Sequence, residues 1–280
     1  MTWIRLSPRW MLPVALVGGL VPHRVAAQAA LPGPPDSLIP ADALGASIRR
    51  GRALALATRD SLPRNVGNKL RCVSCHLDEG RRPTGSWVGA FARYPQYRSR
   101  RGNIESIEDR VNDCFKRSMN GRPLDREGRD MHDMVAYLSF LSWGTTIGPP
   151  VKRAESNPFA ALHPDTAAGA RTFSTVCAAC HGADGAGGSP GAVVVGPPLW
   201  GPDSYNIGAG MARRFAAASF IRHNMPYDRP GSLSDQEALD VAAFVNGHAR
   251  PDYPGKELDW PKGDPPPDVA YPTSAARRKP

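Results

Sequence analysis

Apolar positions recur at helical steps of three and four in a few stretches, separated by long connections rich in Pro and Gly. Residues 41–57 read as a helix with Leu44, Ile48, Leu54 and Leu56 turned inward, although Gly51 weakens it. The clearest stripe lies in 104–120, where Ile107, Val111, Cys114, Phe115 and Ser118 share one face. Ser106 with Asp109 makes a capping box at its start, and Gly121 a stop. A third helix, 130–141, presents Met134, Val135, Leu138 and Leu141. Beyond it a short helix runs into Cys177 and another spans 208–218. The last, 234–247, opens on Ser234 and Glu237 as a capping box and shows an Ala238, Val241, Ala242, Val245 face. Between these, 81–101 sets Trp87, Phe91, Tyr94 and Tyr97 among Gly, Pro and Arg, the composition of a wrapping loop.

The pattern predicts a mainly α protein of two small domains, residues 41–143 and 166–249, joined by a Pro- and Gly-rich linker at 144–165. Residues 1–27 read as an export signal: Arg5 and Arg9 precede an apolar run from Met11 to Val21, and Val25-Ala26-Ala27 offers a cleavage site. That run is too short to remain as a stable membrane anchor, so a periplasmic location is expected. From Arg250 to the end, prolines and charges without periodicity predict a tail that drapes over the body or stays disordered.

Composition adds two points. With 29 Pro and 28 Gly in 280 residues, much of the chain must run in loops, as a chain wound around a cofactor does. A net charge of +9 favours anions and acidic redox partners. Nucleic acid is disfavoured, because the basic residues are scattered and no binding signature accompanies them.

The chemistry lies in the cysteines. Four of the five fall in Cys72-Val73-Ser74-Cys75-His76 and Cys177-Ala178-Ala179-Cys180-His181. Two thiols three residues apart reach the two vinyl groups of one porphyrin, and the adjacent imidazole becomes an axial ligand of its iron. Two copies therefore predict two covalently bound haem c groups, each in its own domain. A zinc site would draw ligands from both pairs, and the gap of about a hundred residues gives no sign of that.

Each iron then needs a sixth ligand. In the second domain the candidates are Met225, His223 and Met211. Met225, in an extended segment before the last helix, suits a small cytochrome c, whereas Met211 falls inside a predicted helix, where methionine serves packing. In the first domain the candidates are Cys114, Met119, Met131, Met134 and His132. Cys114 is also read as an ordinary buried thiol. Against that, Arg110 and Ser118 flank it one turn before and after, each about 6 Å along the axis. A guanidinium and a hydroxyl there lower a thiol's pKa from roughly 8.5 and favour the thiolate.

Tyr94-Pro95-Gln96-Tyr97, the run from Ile107 to Gly121 with Arg110, Cys114 and Ser118 at four-residue steps, and Phe220-Ile221-Arg222-His223-Asn224-Met225-Pro226 together resemble the dihaem thiosulfate dehydrogenases that form tetrathionate. The resemblance runs from Leu44 to Gly247. It implies that Cys114 is the distal ligand of the first, active-site haem, that Arg110 and Ser118 belong to the substrate pocket, and that Met225 serves the second haem. Electrons are then expected to leave through the second haem to a small c-type cytochrome or similar acceptor. Arg81, Arg82, Arg122 and Arg126 are looser candidates for binding the anionic substrate. His132 stands where that family is expected to carry glutamine, and reads equally as an oxyanion donor or an exposed helix residue. Three rival readings share the same parts: a purely electron-transferring dihaem cytochrome, a subunit that conjugates thiosulfate to a carrier, and a tetrathionate reductase.

Overall fold

The computed structural model describes residues 33–148, 157–188 and 195–273. The expected signal peptide, the centre of the linker and part of the glycine-rich loop after His181 lie outside the described residues. The molecule is mainly helical, with one two-stranded antiparallel ribbon among the described residues.

Helix α1 (Ala43–Leu56) begins where the Asp42 carboxylate accepts from Gly45 N at 3.0 Å. Its buried face is Gly45, Ile48, Gly51, Leu54 and Ala55, whereas Leu44 is 48% exposed. The expected inward face was thus partly wrong, because small residues rather than large ones mark the contact. A Cβ on Gly51 would lie 1.8 Å from Asp133 O, so glycine is what lets α1 cross its partner closely.

The predicted helix at 104–120 is three structures in succession. Strand β1 (Gln96–Arg98) pairs with β2 (Asn103–Glu105), so Ile104 is an exposed strand residue. Helix α2 (Ile107–Asp113) starts on the expected capping box, with Ser106 accepting from Asp109 N and Asp109 from Ser106 N. Cys114–Ser118 then widens into a π-helical turn. The left-handed stop is Asn120 (φ 49°) rather than Gly121. Gly121 is needed instead for packing, since a Cβ there would sit 1.8 Å from Asn65 O. Helix α3 (Arg129–Phe140) crosses α1 and buries Met131, Met134, Tyr137 and Leu138.

The second half repeats this plan. Helix α4 (Thr166–Thr172) leads through a π turn into Cys177 and packs on α6 (Asp235–Asn246), which has the expected capping box. A Cβ on Gly169 would lie 2.1 Å from Asp240 O and 3.0 Å from Phe244 Cβ. At Gly51 the same test meets Asp133 O and Tyr137 Cβ, again residues four apart on the partner helix. The helix expected at 208–218 is broken at Arg213: Gly210–Ala212 is a 3-10 turn carrying Met211, and α5 (Arg214–Asn224) follows. Its first turn is closed by Asp268, which accepts from Phe215 N at 2.8 Å and pairs with Arg213. A cap so far along the chain leaves no local signal.

The halves meet where Leu70 packs against Tyr205, Ala209 and Ala212. The end of the π turn is fastened there: Lys116 O accepts from Asn206 Nδ2 at 2.9 Å, Arg117 O from Asn206 N at 3.2 Å, and Ser118 O from Asn68 Nδ2 at 2.8 Å. The tail through residue 273 drapes rather than hangs free. Buried Asp259 takes both Arg117 Nη atoms at 2.7 Å and accepts from the Tyr271 hydroxyl, while Arg100 lies 4.6 Å over the Trp260 ring. Replacing Asp259 with Ala leaves buried Arg117 without its two-pronged partner and with only Asp113, 3.7 Å from its Nε. Such a loss costs roughly 3–5 kcal/mol, measurable as a lowered denaturant midpoint with both haems still attached.

Candidate active site

The first two-thiol segment is held from below by Thr58, which is fully buried. Its Oγ1 accepts from Cys72 N at 3.1 Å and lies 3.2 Å from Cys72 Sγ. Nothing in its sequence position marked Thr58 for this role. Beyond His76 the chain turns through Asp78 and Glu79, both in the left-handed region, to Gly80. A Cβ on Gly80 would strike Trp87 at 2.2 Å, so glycine lets the Trp87 ring close over His76, with centroids 4.6 Å apart. Tyr137 supports that ring edge-on.

Above this platform is a cavity of about 410 Å³, within the range of small-molecule and cofactor sites. Cys72, Cys75 and His76 line one side, and Arg110, Cys114 and Ser118 line it too. The sequence stripe thus brings its three predicted residues to the same space as the first two-thiol segment. Arg110 Nη1 lies 3.0 Å from Cys114 Sγ. The Cys114 sulfur holds the Arg110 guanidinium above its ordinary pKa, against the opposing effect of burial.

The residues fit a haem. Burial pushes the Cys72 and Cys75 thiols up to about 12, so this pocket favours uncharged sulfur, as in a thioether. Burial lowers His76 to about 4, keeping the imidazole neutral as a ligand must be. His76 Nδ1 faces Gly85 O at 2.5 Å, which leaves Nε2 for a metal. The second half repeats the arrangement: His181 Nδ1 faces Pro197 O at 2.8 Å, and Cys177 packs with Phe173, Val241, Val245, Trp200 and Phe244. Gly185 there admits Trp200 as Gly80 admits Trp87.

Of the rival distal candidates, Met119 and Met134 also line the first cavity, whereas Met131 is buried outside its lining and His132 is exposed. His132 lies 3.8 Å from Glu127 and takes no part in the pocket. Met225 is half-buried and extended at the end of α5, and His223 bonds Ser219 O within that helix. Arg81 and Arg82 are turned to Asp36 and Asp78, Arg126 to Asp109, and Arg122 bonds Asn65 O through its backbone. None of the four lines the cavity; Arg71, Arg93 and Arg98 do instead. The missed signal was the alternation Gln96, Tyr97, Arg98, which sets the first and third on one face of a strand.

Two haem-binding halves of this kind define a c-type cytochrome. Residues 64–147 match the SoxA/TsdA cytochrome c domain and residues 164–245 the cytochrome c oxidase cbb3-type subunit III family. The chain is 43% identical over 239 residues to the thiosulfate dehydrogenase of Psychrobacter arcticus, covering 84% of this chain and 73% of that protein. It is 43% identical over 256 residues to that of Allochromatium vinosum, covering 88% and 93%. The as-isolated thiosulfate dehydrogenase TsdBA of Marichromatium purpuratum superimposes with a TM-score of 0.72 at 35% identity, over 80% of this chain and 50% of that one, so the chain spans half of that structure. The chain belongs to the thiosulfate dehydrogenase family. It is an oxidoreductase with two haem c groups. Among the described residues no helix is long and apolar enough to cross a membrane.

Replacing Cys72 and Cys75 with Ser is expected to leave one covalently attached haem, counted from the alkaline pyridine spectrum of the denatured protein. Two attached haems would contradict the assignment.

Proposed function

We propose that the protein oxidises two thiosulfates to one tetrathionate in the first cavity, with Cys114 as the sulfur that carries the first. Cys72 and Cys75 would attach the first haem, with His76 and Cys114 the residues that would hold its iron; Cys177, Cys180, His181 and Met225 would hold the second. The observation that carries this reading is the guanidinium of Arg110, 3.0 Å from Cys114 Sγ, inside the cavity that receives the first two-thiol segment. A simple electron carrier needs no such ion-binding pocket around its ligand.

A bond forms between Cys114 Sγ and the outer sulfur of one thiosulfate, with loss of two electrons. The outer sulfur of a second thiosulfate attacks that bound outer sulfur. The bond to Cys114 breaks, tetrathionate leaves and the thiolate is restored. Arg110 neutralises the thiolate before the step and the bound sulfonate after it, and Ser118 donates from the same wall. The haems, when bound, accept the two electrons one at a time. Electrons then leave through the second half to an external acceptor, for which the net charge of +9 favours a small acidic c-type cytochrome. The export signal expected at residues 1–27 supports a periplasmic setting for the reaction.

Purified holoprotein should form tetrathionate from thiosulfate with ferricyanide as acceptor. Cys114→Ala should cut turnover by roughly 10³-fold or more with both haems attached, and Arg110→Gln should lower kcat/KM by roughly 10²-fold. Undiminished turnover in Cys114→Ala would exclude the carrier role of its sulfur.

A further inference from the structure

We infer that the Gln96–Arg98 edge of the β-ribbon is a second anion subsite, which holds the sulfonate of the second thiosulfate and the far end of tetrathionate. The inference rests on the reaction proposed above and names where its second substrate sits.

The charged residues lining the first cavity are Arg71, Arg93, Arg98 and Arg110, with no Asp or Glu among them. Arg71 is exposed, Arg98 is 40% exposed and Arg93 and Arg110 are half-buried, so together they give the cavity a positive field that draws anions into it. A haem held here would bring two propionate carboxylates of its own, whose charge would offset two of the four. Two positive charges remain, and tetrathionate carries a sulfonate at each end. Arg110, against Cys114, serves the first sulfonate.

Arg98 serves the second. Strand alternation sets Gln96 and Arg98 on the cavity side of β1, while Tyr97 faces out at 46% exposure. Arg98 is poorly paired within the protein: Glu105 lies 3.9 Å away, and Arg101 approaches that same carboxylate more closely, at 3.5 Å. Its side chain is 40% exposed while also lining the cavity, so it meets an anion arriving from solvent. Gln96 adds a neutral donor on the same face. The ribbon runs directly into the Ser106 cap of α2, and Tyr94 sits beside Arg110, so the edge borders the Cys114 end of the cavity.

The test compares native holoenzyme with Arg98→Gln, Arg98→Lys and Gln96→Ala. Tetrathionate binding to the oxidised protein is measured by calorimetry, thiosulfate KM and kcat at two ionic strengths, and first-haem potential by spectroelectrochemistry. Arg98→Gln is expected to weaken tetrathionate and raise KM about tenfold, with kcat and potential nearly unchanged. Arg98→Lys should recover part of the loss and Gln96→Ala show a smaller loss of the same sign. Unchanged binding and KM would overturn the subsite, as would a shifted potential with unchanged binding, which would make Arg98 a propionate partner. Native protein that forms no tetrathionate but binds it in an Arg98-dependent way would sink the proposed reaction and leave the subsite standing.

Discussion

The contact between Arg110 and Cys114 in the first cavity is the interaction on which the rest of the molecule converges. A thiolate in apolar surroundings is unstable without a fixed cation, and a cation there is unstable without its anion. Both residues lie on one short segment, so their alignment depends on how that segment is held. The Ser106 and Asp109 box sets its first turn. At the other end the π turn leaves carbonyls that Asn206 and Asn68 satisfy, and Arg117 is locked into Asp259 of the tail. The second half and the tail are thus part of the scaffold of the candidate site, although neither lines the cavity.

The two halves use one plan twice. A glycine on the entering helix, Gly51 or Gly169, allows it to cross its closing helix closely, and a glycine after the two-thiol segment admits a tryptophan, which stacks on His76 in the first half and on His248 in the second. In each, a backbone carbonyl takes the histidine's Nδ1. They diverge on the distal side. The first half offers a cysteine with a guanidinium and hydroxyl at its side, while the second offers Met225 in extended backbone. Under the proposed function, that difference would separate a site for sulfur chemistry from one that passes electrons.

Much of this was legible from the residues. The two-thiol segments, the capping boxes at Ser106 and Ser234, and the Arg110, Cys114, Ser118 stripe all depend on short-range spacing, and the structure places that stripe on one cavity wall. What failed depended on distance. A hydrophobic pattern points to Leu44 rather than Gly45 and Gly51 because it cannot see a contact made by absent side chains. The break at Arg213 follows from Asp268, and the fixed tail from Arg117 meeting Asp259, neither of which has a local signature. Charge alone points to Arg81, Arg82 and Arg126, but nearby carboxylates claim them, whereas Arg98 reaches the cavity from a strand too short to stand out among Gly, Pro and Arg.

The central claim is that Cys114 carries the first thiosulfate as a covalent adduct. Its most direct test is peptide mass spectrometry of the oxidised holoprotein quenched after reaction with one equivalent of thiosulfate. The account predicts a thiosulfate-derived group on the Cys114 peptide that a second equivalent releases as tetrathionate. Tetrathionate formed at the same rate with the Cys114 peptide unmodified at every time point would contradict it.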